Sequence, residues 1–364
     1  MFVAWRDLRF AKGRFALMGA VVLLITLLVG LLSGLTAGLA RENTSAVTGL
    51  PASHLAFAAP AGDQQVSFTR SQVSEKAWQA WRAQPGVRSA QPLGIRTTDA
   101  AAGGRTAAVS VFGVDPAGPL APRGSGLAPG RAVLTEKAAQ ELGGLTAGAR
   151  LRIGPLDLTV AAVSGTAAYS HTPVVWMDLG DWQRLGNPAA TPDTLATVVV
   201  LDAPDASGAA LAAGDRAAGT EVRTVDEALG AIGSYQAENG SLQLMRGFLF
   251  AISALVIGAF FTVWTIQRSA DVAVLKALGA STPYLLRDAL GQAVVMLAIG
   301  TGLGTALAAG FGALISGGDV PFVLATATVL VPAGIMIVLG ALGAALSIRR
   351  ITAVDPLTAL GSAR

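Results

Sequence analysis

The sequence contains no cysteine, only two histidines and only four lysines among its 364 residues. Without cysteine, the chain has no disulfide, no thiolate metal site and no cysteine nucleophile. A P-loop ATPase needs a lysine directly after a glycine to reach the nucleotide phosphates, and none of the four lysines follows a glycine. The two histidines, His54 and His171, show no metal-ligand spacing, and lone histidines are usually surface or packing residues. These absences argue against an enzyme.

Charged residues are also scarce, at 13% against 52% hydrophobic residues, which is typical of a membrane protein. The stretches 15–40, 247–267, 289–318 and 320–348 contain no Asp, Glu, Lys or Arg. Each is longer than the ~20 residues that a helix needs to cross a bilayer. The first stretch follows a basic segment as a signal peptide would, but it is longer than the usual apolar core of a signal, which favours an uncleaved anchor. The sequence therefore predicts four spans.

Basic residues in the short flanks predict the orientation, because cytoplasmic loops are enriched in Lys and Arg. They cluster before span 1, between spans 2 and 3 and after span 4, so both termini are expected inside and the long loop outside. The cytoplasmic basic residues suit anionic lipid headgroups rather than nucleic acid. The predicted segments are a cytoplasmic amphipathic segment (1–14), TM1 (15–40), an extracellular domain with stalk (41–245), TM2 (247–267), a cytoplasmic coupling helix (268–283), TM3 (285–316), TM4 (320–348) and a cytoplasmic tail (349–364).

The long loop alternates strand-like runs with turns and short helices, which predicts an α+β domain. Predicted helices are 74–84 and 135–142, with Thr135 as N-cap and Gly143 as stop. A helix from Val225 to Met245, interrupted at Asn239-Gly240, is predicted as a stalk, and the Gly- and Pro-rich stretch 118–130 as a subdomain boundary. The predicted strands are 109–114, 151–153, 156–163, 174–177 and 197–201. The predicted fold class is a membrane protein with four transmembrane helices (one plus three) and a large α+β extracellular domain between spans 1 and 2.

Small residues recur on one face of span 1 at Gly30, Gly34 and Gly38. This spacing lets helix backbones approach closely in lipid. It predicts either a dimer seam with a second copy of the chain or packing against another span of the same chain. Span 3 repeats the pattern at Gly300 and Gly304.

The stretch between spans 2 and 3 reads RSADVAVLKALGA from Arg268 to Ala280. Its pattern predicts a short helix with an apolar ridge, with an acid in its first turn, a base near its end and a glycine stop. Ser281 and Pro283 are expected to begin the next helix. The helix either rests in the lipid headgroups or inserts into a groove on a partner. The residues assigned to it are Asp271, Val272, Leu275, Lys276, Leu278 and Gly279.

This stretch resembles the hallmark segment of FtsX/MacB-like permeases, the membrane subunits of type VII ABC transporters. The C-terminal stretch 349–356 is similar to the ending of that family, and residues 133–142, followed by Gly148 and 151–153, resemble the core of its extracellular domain. The order of one span, a large domain and three spans is also similar to that family. The resemblance implies a homodimer on a separate ATPase that binds ATP-Mg, with no cofactor in this chain itself. It also implies that ATP-driven movement passes through the stalks to the outside domain. Under this interpretation residues 268–280 are the ATPase coupling site.

Short motifs at 11–17, 31–36 and 43–46 resemble the heme-exporter branch of this family in Gram-positive bacteria. That branch implies efflux of a hydrophobic compound, with heme as substrate, from the cell membrane. Two other functions remain open: an FtsX-like regulator of an extracellular cell-wall hydrolase, and a peptide or antibiotic efflux permease.

The outer ends of spans 1 and 2 are the predicted heme site. Heme needs apolar walls, an iron ligand and cations for its propionates. The alternative is that the charged residues only anchor helix ends in headgroups while the methionine packs. The candidates are Glu42 and Met245 as ligands, Arg41 and Arg246 for the propionates, and Phe248, Leu35, Leu39 and Leu244 as walls.

Overall fold

The computed structural model describes residues 12–186, 193–267, 274, 279–315 and 320–352. These residues fall into two compact units. The membrane unit lies within Met1–Gly38 and Ser241–Arg364, and the large domain within Leu39–Gly240.

Among the described residues, four helices are long and apolar enough to cross a membrane, and they belong to a membrane protein with one span before the large domain and three after it. A helix bonds its backbone polar groups within its own segment, which is why helices can span lipid. Met18, Ile257, Met296 and Met336 form part of one buried apolar cluster in the membrane unit. The four helices are α1 (Lys12–Thr48), α7 (Gly233–Gln267), α8 (Thr282–Ile315) and α9 (Thr326–Thr352).

The helices extend past the predicted spans at their large-domain ends. Helix α1 continues eight residues beyond Ala40. Arg41 and Glu42 end the uncharged stretch, but both are good helix formers, so the backbone stays helical. The predicted interruption of the stalk at Asn239-Gly240 is wrong, since α7 runs without a break from Gly233. The chain instead leaves the helical conformation at Ile232, which is extended (φ −84°, ψ 108°).

The large domain is built on one mixed sheet with short helices beside it. Its described residues form the strands β1 (His54–Ala58), β2 (Val73–Ser74), β3 (Ser89–Ala102), β4 (Arg105–Val114), β5 (Arg131–Leu134), β6 (Arg150–Ile153), β7 (Leu156–Val163), β8 (Ala168–Tyr169), β9 (Thr172–Asp178), β10 (Thr194–Ala196), β11 (Val198–Asp202) and β12 (Thr220–Thr224). The helices are α2 (Glu75–Arg82), α3 (Glu136–Glu141), α4 (Leu179–Arg184), α5 (Gly208–Ala218) and α6 (Val225–Ala228), followed by a 3-10 turn (Leu229–Ala231). The domain is therefore α+β, as predicted.

The main sheet has the order β12-β1-β11-β3-β4-β9-β5-β7-β6, with β8 beside β9 and a small separate pair β2–β10. Strand β3 pairs with β6 as well, through Ala100↔Ile153 and Ala101↔Arg152. Strands β3, β4, β9, β5, β7 and β6 therefore close into a ring. The ring encloses one apolar cluster, and a second lies where β1, β11 and the ends of α1 and α7 meet. The stretch 118–130 separates no domains, because the sheet is continuous and 39–240 forms one unit.

Local chemistry explains several element ends. Ser74 caps α2 by accepting a hydrogen bond from the backbone N–H of Ala77, and Thr224 and Glu227 form a capping box at α6. Thr135 precedes α3 as predicted, but its hydroxyl donates to the carbonyl of Val174 instead of capping the helix. This hydroxyl therefore ties α3 to the sheet.

Candidate functional site

The glycine face of α1 is covered by the same chain. A methyl group on Gly30 would come 2.8 Å from Cβ of Ala308, and Gly34 lies under the ring of Phe322. Gly38 lies against the backbone of Pro321. These contacts favour the second of the two predicted roles for Gly30, Gly34 and Gly38, which is packing within the same chain. They do not support a dimer seam on this face.

The repeated pattern on α8 has the same role. Cβ atoms at Gly300 and Gly304 would come 2.9 Å from Cγ1 of Val22 and 2.8 Å from Cβ of Thr26. Both contacts lie on α1, so the two helices approach each other closely at these glycines. Small residues thus position α1 against α8 within one protomer.

The predicted coupling helix lies mostly outside the described residues. Asp271, Val272, Leu275, Lys276 and Leu278 belong to that part, so their place on an apolar ridge stays a prediction. Gly279 is described, and its φ of +95° is a conformation that favours glycine and ends helices. The backbone N–H groups of Tyr284 and Leu285 donate to the carbonyl of Ser281, where α8 begins. A tight turn therefore follows the predicted helix.

Helix α7 exposes an apolar face near the predicted outer membrane surface. Leu244, Met245 and Phe248 are exposed by 65%, 50% and 66%. The Nε of Arg246 is buried and has no hydrogen-bond acceptor among the described residues. An exposed apolar face by itself suits contact with lipid. The thioether of Met245 and the guanidinium of Arg246 would also suit a planar ligand with an iron and acidic groups.

The other predicted ligand residues lie around the large-domain end of α1. Arg41 is exposed, and Leu35 and Leu39 are half-buried. The carboxylate of Glu42 is bound by Lys137 of α3, with an Nζ–Oε1 distance of 2.8 Å. Exposed ion pairs contribute little stability, so Glu42 can exchange Lys137 for another partner at small cost. That these residues and those of α7 share one cleft stays a prediction.

A polar cluster that the sequence did not predict surrounds His171. Its Nε2 lies 2.9 Å from both carboxylate oxygens of Glu238 on α7, and its Nδ1 lies 3.9 Å from Oε2 of Glu42. Asn43 and Ser234 complete the cluster through side-chain hydrogen bonds. Beside it, burial raises the pKa of Tyr169 above its ordinary value. The described residues contain no group of three or more His, Cys, Asp or Glu arranged to hold a metal ion.

Comparison with known proteins gives matches along the whole chain. Two family models match, a MacB-like periplasmic core domain over residues 17–218 and an FtsX-like permease C-terminal domain over residues 244–356. A Staphylococcus haemolyticus protein that carries the name of a hemin transport system permease protein, HrtB, is 26% identical over 377 residues, which cover 99% of each chain.

A Mycobacterium tuberculosis protein, named as an uncharacterized ABC transporter permease, is 27% identical over 289 residues, covering 77% of this chain and 76% of its own. The crystal structure of the periplasmic region of MacB from Actinobacillus actinomycetemcomitans aligns with 50% of this chain and 92% of that chain, at 11% identity and a TM-score of 0.35. Together, the two matched family ranges take in most of α1, most of the large domain, most of α7 and all of α8 and α9.

Proposed function

Because the chain belongs to the FtsX/MacB-like permeases of ABC transporters, we propose that it extrudes a hydrophobic compound, heme, from the membrane. The observation that carries this proposal is the similarity over 99% of both chains to a protein named for hemin transport. A match of this length includes both the large domain and the spans, so it concerns the whole permease and not one shared module.

ATP hydrolysis is assigned to a separate subunit. ABC permeases of this family work with a partner ATPase, and no lysine of this chain follows a glycine as a P-loop requires. We expect the ATPase to dock on residues 268–280, with Val272, Leu275 and Leu278 in its groove. Two copies of the permease, embedded in membrane lipid with both termini in the cytoplasm, would form the transporter.

The heme is expected to contact the exposed face of α7. Met245 offers a thioether, Phe248 offers an aromatic wall, and Arg246 offers a guanidinium to a propionate. A thioether or a carboxylate binds ferric heme weakly, and weak binding suits a transporter that must release its substrate. Glu42 would become a ligand by leaving Lys137.

The test is a hemin titration of the permease–ATPase complex in lipid nanodiscs, followed by ATP addition in the presence of albumin as an outside acceptor. We expect a shifted heme absorption band, then ATP-dependent transfer of hemin to albumin. A complex with a catalytically inactive ATPase serves as the control and should bind hemin without transferring it. A complex that hydrolyses ATP but neither binds nor transfers hemin would overturn the heme assignment and favour the regulator or another efflux substrate.

A further inference from the structure

The ends of α1 and α7 in the large domain meet the β8–β9 turn at one group of polar side chains. We call it the His171 cluster, made of Glu42, Asn43, Ser170, His171, Ser234 and Glu238. Asn43 connects the two helices, since its Oδ1 accepts a hydrogen bond of 2.7 Å from Ser234 and its Nδ2 donates to Glu238 at 3.3 Å. Ser170 joins the turn to α7, with 2.8 Å between its Oγ and that of Ser234.

The backbone of the turn is held on α1 in an uncommon conformation. Ser170 and His171 have φ angles of 50° and 63°, and they are the non-glycine residues with positive φ in the described part of the chain. Their backbone N–H groups donate to the carbonyls of Asn43 (3.0 Å) and Glu42 (3.2 Å). Left-handed backbone at non-glycine residues persists only where surrounding contacts enforce it. The turn is therefore built to present His171 to the two helices.

Apolar residues hold the same helix ends close by. Val47 of α1 and Ile232, just before α7, are 0% and 1% exposed in one cluster with Leu55 and Phe57 of β1. Glu42 and Asn43 lie about one turn before Val47 on α1, and Glu238 lies about one turn after Ser234 on α7. The apolar contacts and the polar contacts therefore hold each helix end to the large domain at two separated points.

We propose that His171 is a positioning residue that keeps the ends of α1 and α7 in a fixed orientation to the sheet, so that ATP-driven movement of the helices moves the large domain. This inference rests on the proposed function as an ATP-driven transporter. His171 faces Glu238 and Glu42, and Glu42 is also bound by Lys137. Without the imidazole, the two carboxylates lose the group between them, and the helix ends can turn relative to the sheet.

Two substitutions break the cluster at different points. His171→Ala removes the imidazole, and Glu238→Gln replaces a two-oxygen acceptor by a carboxamide with one acceptor oxygen. In the permease–ATPase complex in nanodiscs, each should lower ATP-dependent hemin transfer by about tenfold or more, as expected for loss of a charge-assisted hydrogen bond. ATP hydrolysis should continue. His54→Ala is the matched control, because His54 lies on β1 with its Nδ1 2.9 Å from Ser53, outside the cluster.

A crosslink separates positioning from mere stability. The hydroxyl oxygens of Ser170 and Ser234 are 2.8 Å apart, so Ser170→Cys/Ser234→Cys places two sulfurs where a disulfide can form, and no native cysteine competes. The oxidised pair should leave transfer intact in the parent and restore it in His171→Ala. A reducing agent should remove that rescue. Loss of transfer in the crosslinked parent would mean that the cluster must open and would overturn the proposal.

A second measurement does not depend on the substrate. A fluorescent label on Gln140→Cys, at an exposed position of α3, should report an ATP-dependent change in emission in the complex. His171→Ala should abolish that change. An equal response in both proteins, or no response in the parent, would overturn the inference. A parent that responds to ATP but transfers no hemin would instead refute the proposed substrate alone.

Discussion

The ring of Phe322 lies against Gly34 in the middle of α1, and no methyl group would fit between them. The backbone N–H of Val323 donates to the carbonyl of Gly34 at 3.1 Å, and the same ring covers Gly312 of α8. One side chain thus holds the segment before α9 against two helices. This contact depends on glycine at both positions.

Gly34→Leu should therefore destabilise the membrane unit, because overpacking a filled interface costs about 1–3 kcal/mol. The measurement is thermal unfolding of the purified protein in detergent. Gly302→Leu is the matched control, since no atom lies within 4 Å of a Cβ built at Gly302. Equal melting temperatures for the two variants would contradict the packing, and selective loss of self-association in Gly34→Leu would restore the dimer seam.

Leu275→Glu should abolish ATPase stimulation by the permease while the permease itself stays folded. A charge inserted into an apolar groove without a partner costs several kcal/mol, so the effect should be large. ATP hydrolysis of the reconstituted complex and copurification of the two subunits measure it. Leu275→Met keeps an apolar side chain and should behave as the parent does. Normal stimulation in the Glu variant would show that the coupling ridge lies elsewhere.

Met245→Leu should shift or erase the heme absorption band without changing the melting temperature of the empty protein, because it removes the thioether and keeps the apolar volume. Met296→Leu, at a buried methionine of the membrane unit, is the matched control. Glu42→Ala should also change the band if its carboxylate is a ligand. Unchanged spectra and affinity in both single variants and in the double variant would refute this site.

The contribution of Asp215 to the stability of the large domain should fall as the pH rises. Burial raises the pKa of Asp215 above its ordinary value of 3.8, and hydrogen bonds from Val222 and Thr220 oppose this. The folded protein therefore binds this proton more tightly than the unfolded chain, so the contribution of Asp215 to stability is fully present below 3.8 and is lost as the pH rises through the raised pKa.

Asp215→Asn should flatten this part of the dependence of the melting temperature on pH. Asp205→Asn is the control, because Asp205 is 75% exposed in its pair with Arg88. A slope that survives in Asp215→Asn would assign the pH dependence to other groups.

Sequence periodicity predicts strands well where one face alone is buried. The strand 156–163 is confirmed over its whole length, since Leu156, Leu158 and Val160 alternate into the ring interior. Strand β3 was missed because Pro92 and Gly94 are unfavourable for strands. In the structure Gly94 lies under the ring of Trp182, where a side chain would not fit. That partner lies 88 residues further along the chain, so local pattern could not reveal it.

The same limit applies to the candidate site. The spacing of residues such as Gly34 on a helix predicts close packing at these positions. The spacing alone does not show which part of the molecule packs against them. The His171 cluster has no such pattern, since His171 lies 128 residues from Asn43 and 67 from Glu238. Only the fold of β8 and β9 brings them together.

The closed ring of strands limits how the large domain, which contains no disulfide, can pair with other chains. Unpaired strand edges recruit other chains and lead to aggregation, and a closed ring has no such edge. Among the described strands longer than three residues, β12 is left open, and it is five residues long and carries the ion-paired Glu221 and Arg223. Charges on a short edge discourage strand addition. Neighbouring copies of the chain can therefore be crowded together and still meet through side chains rather than through shared sheets.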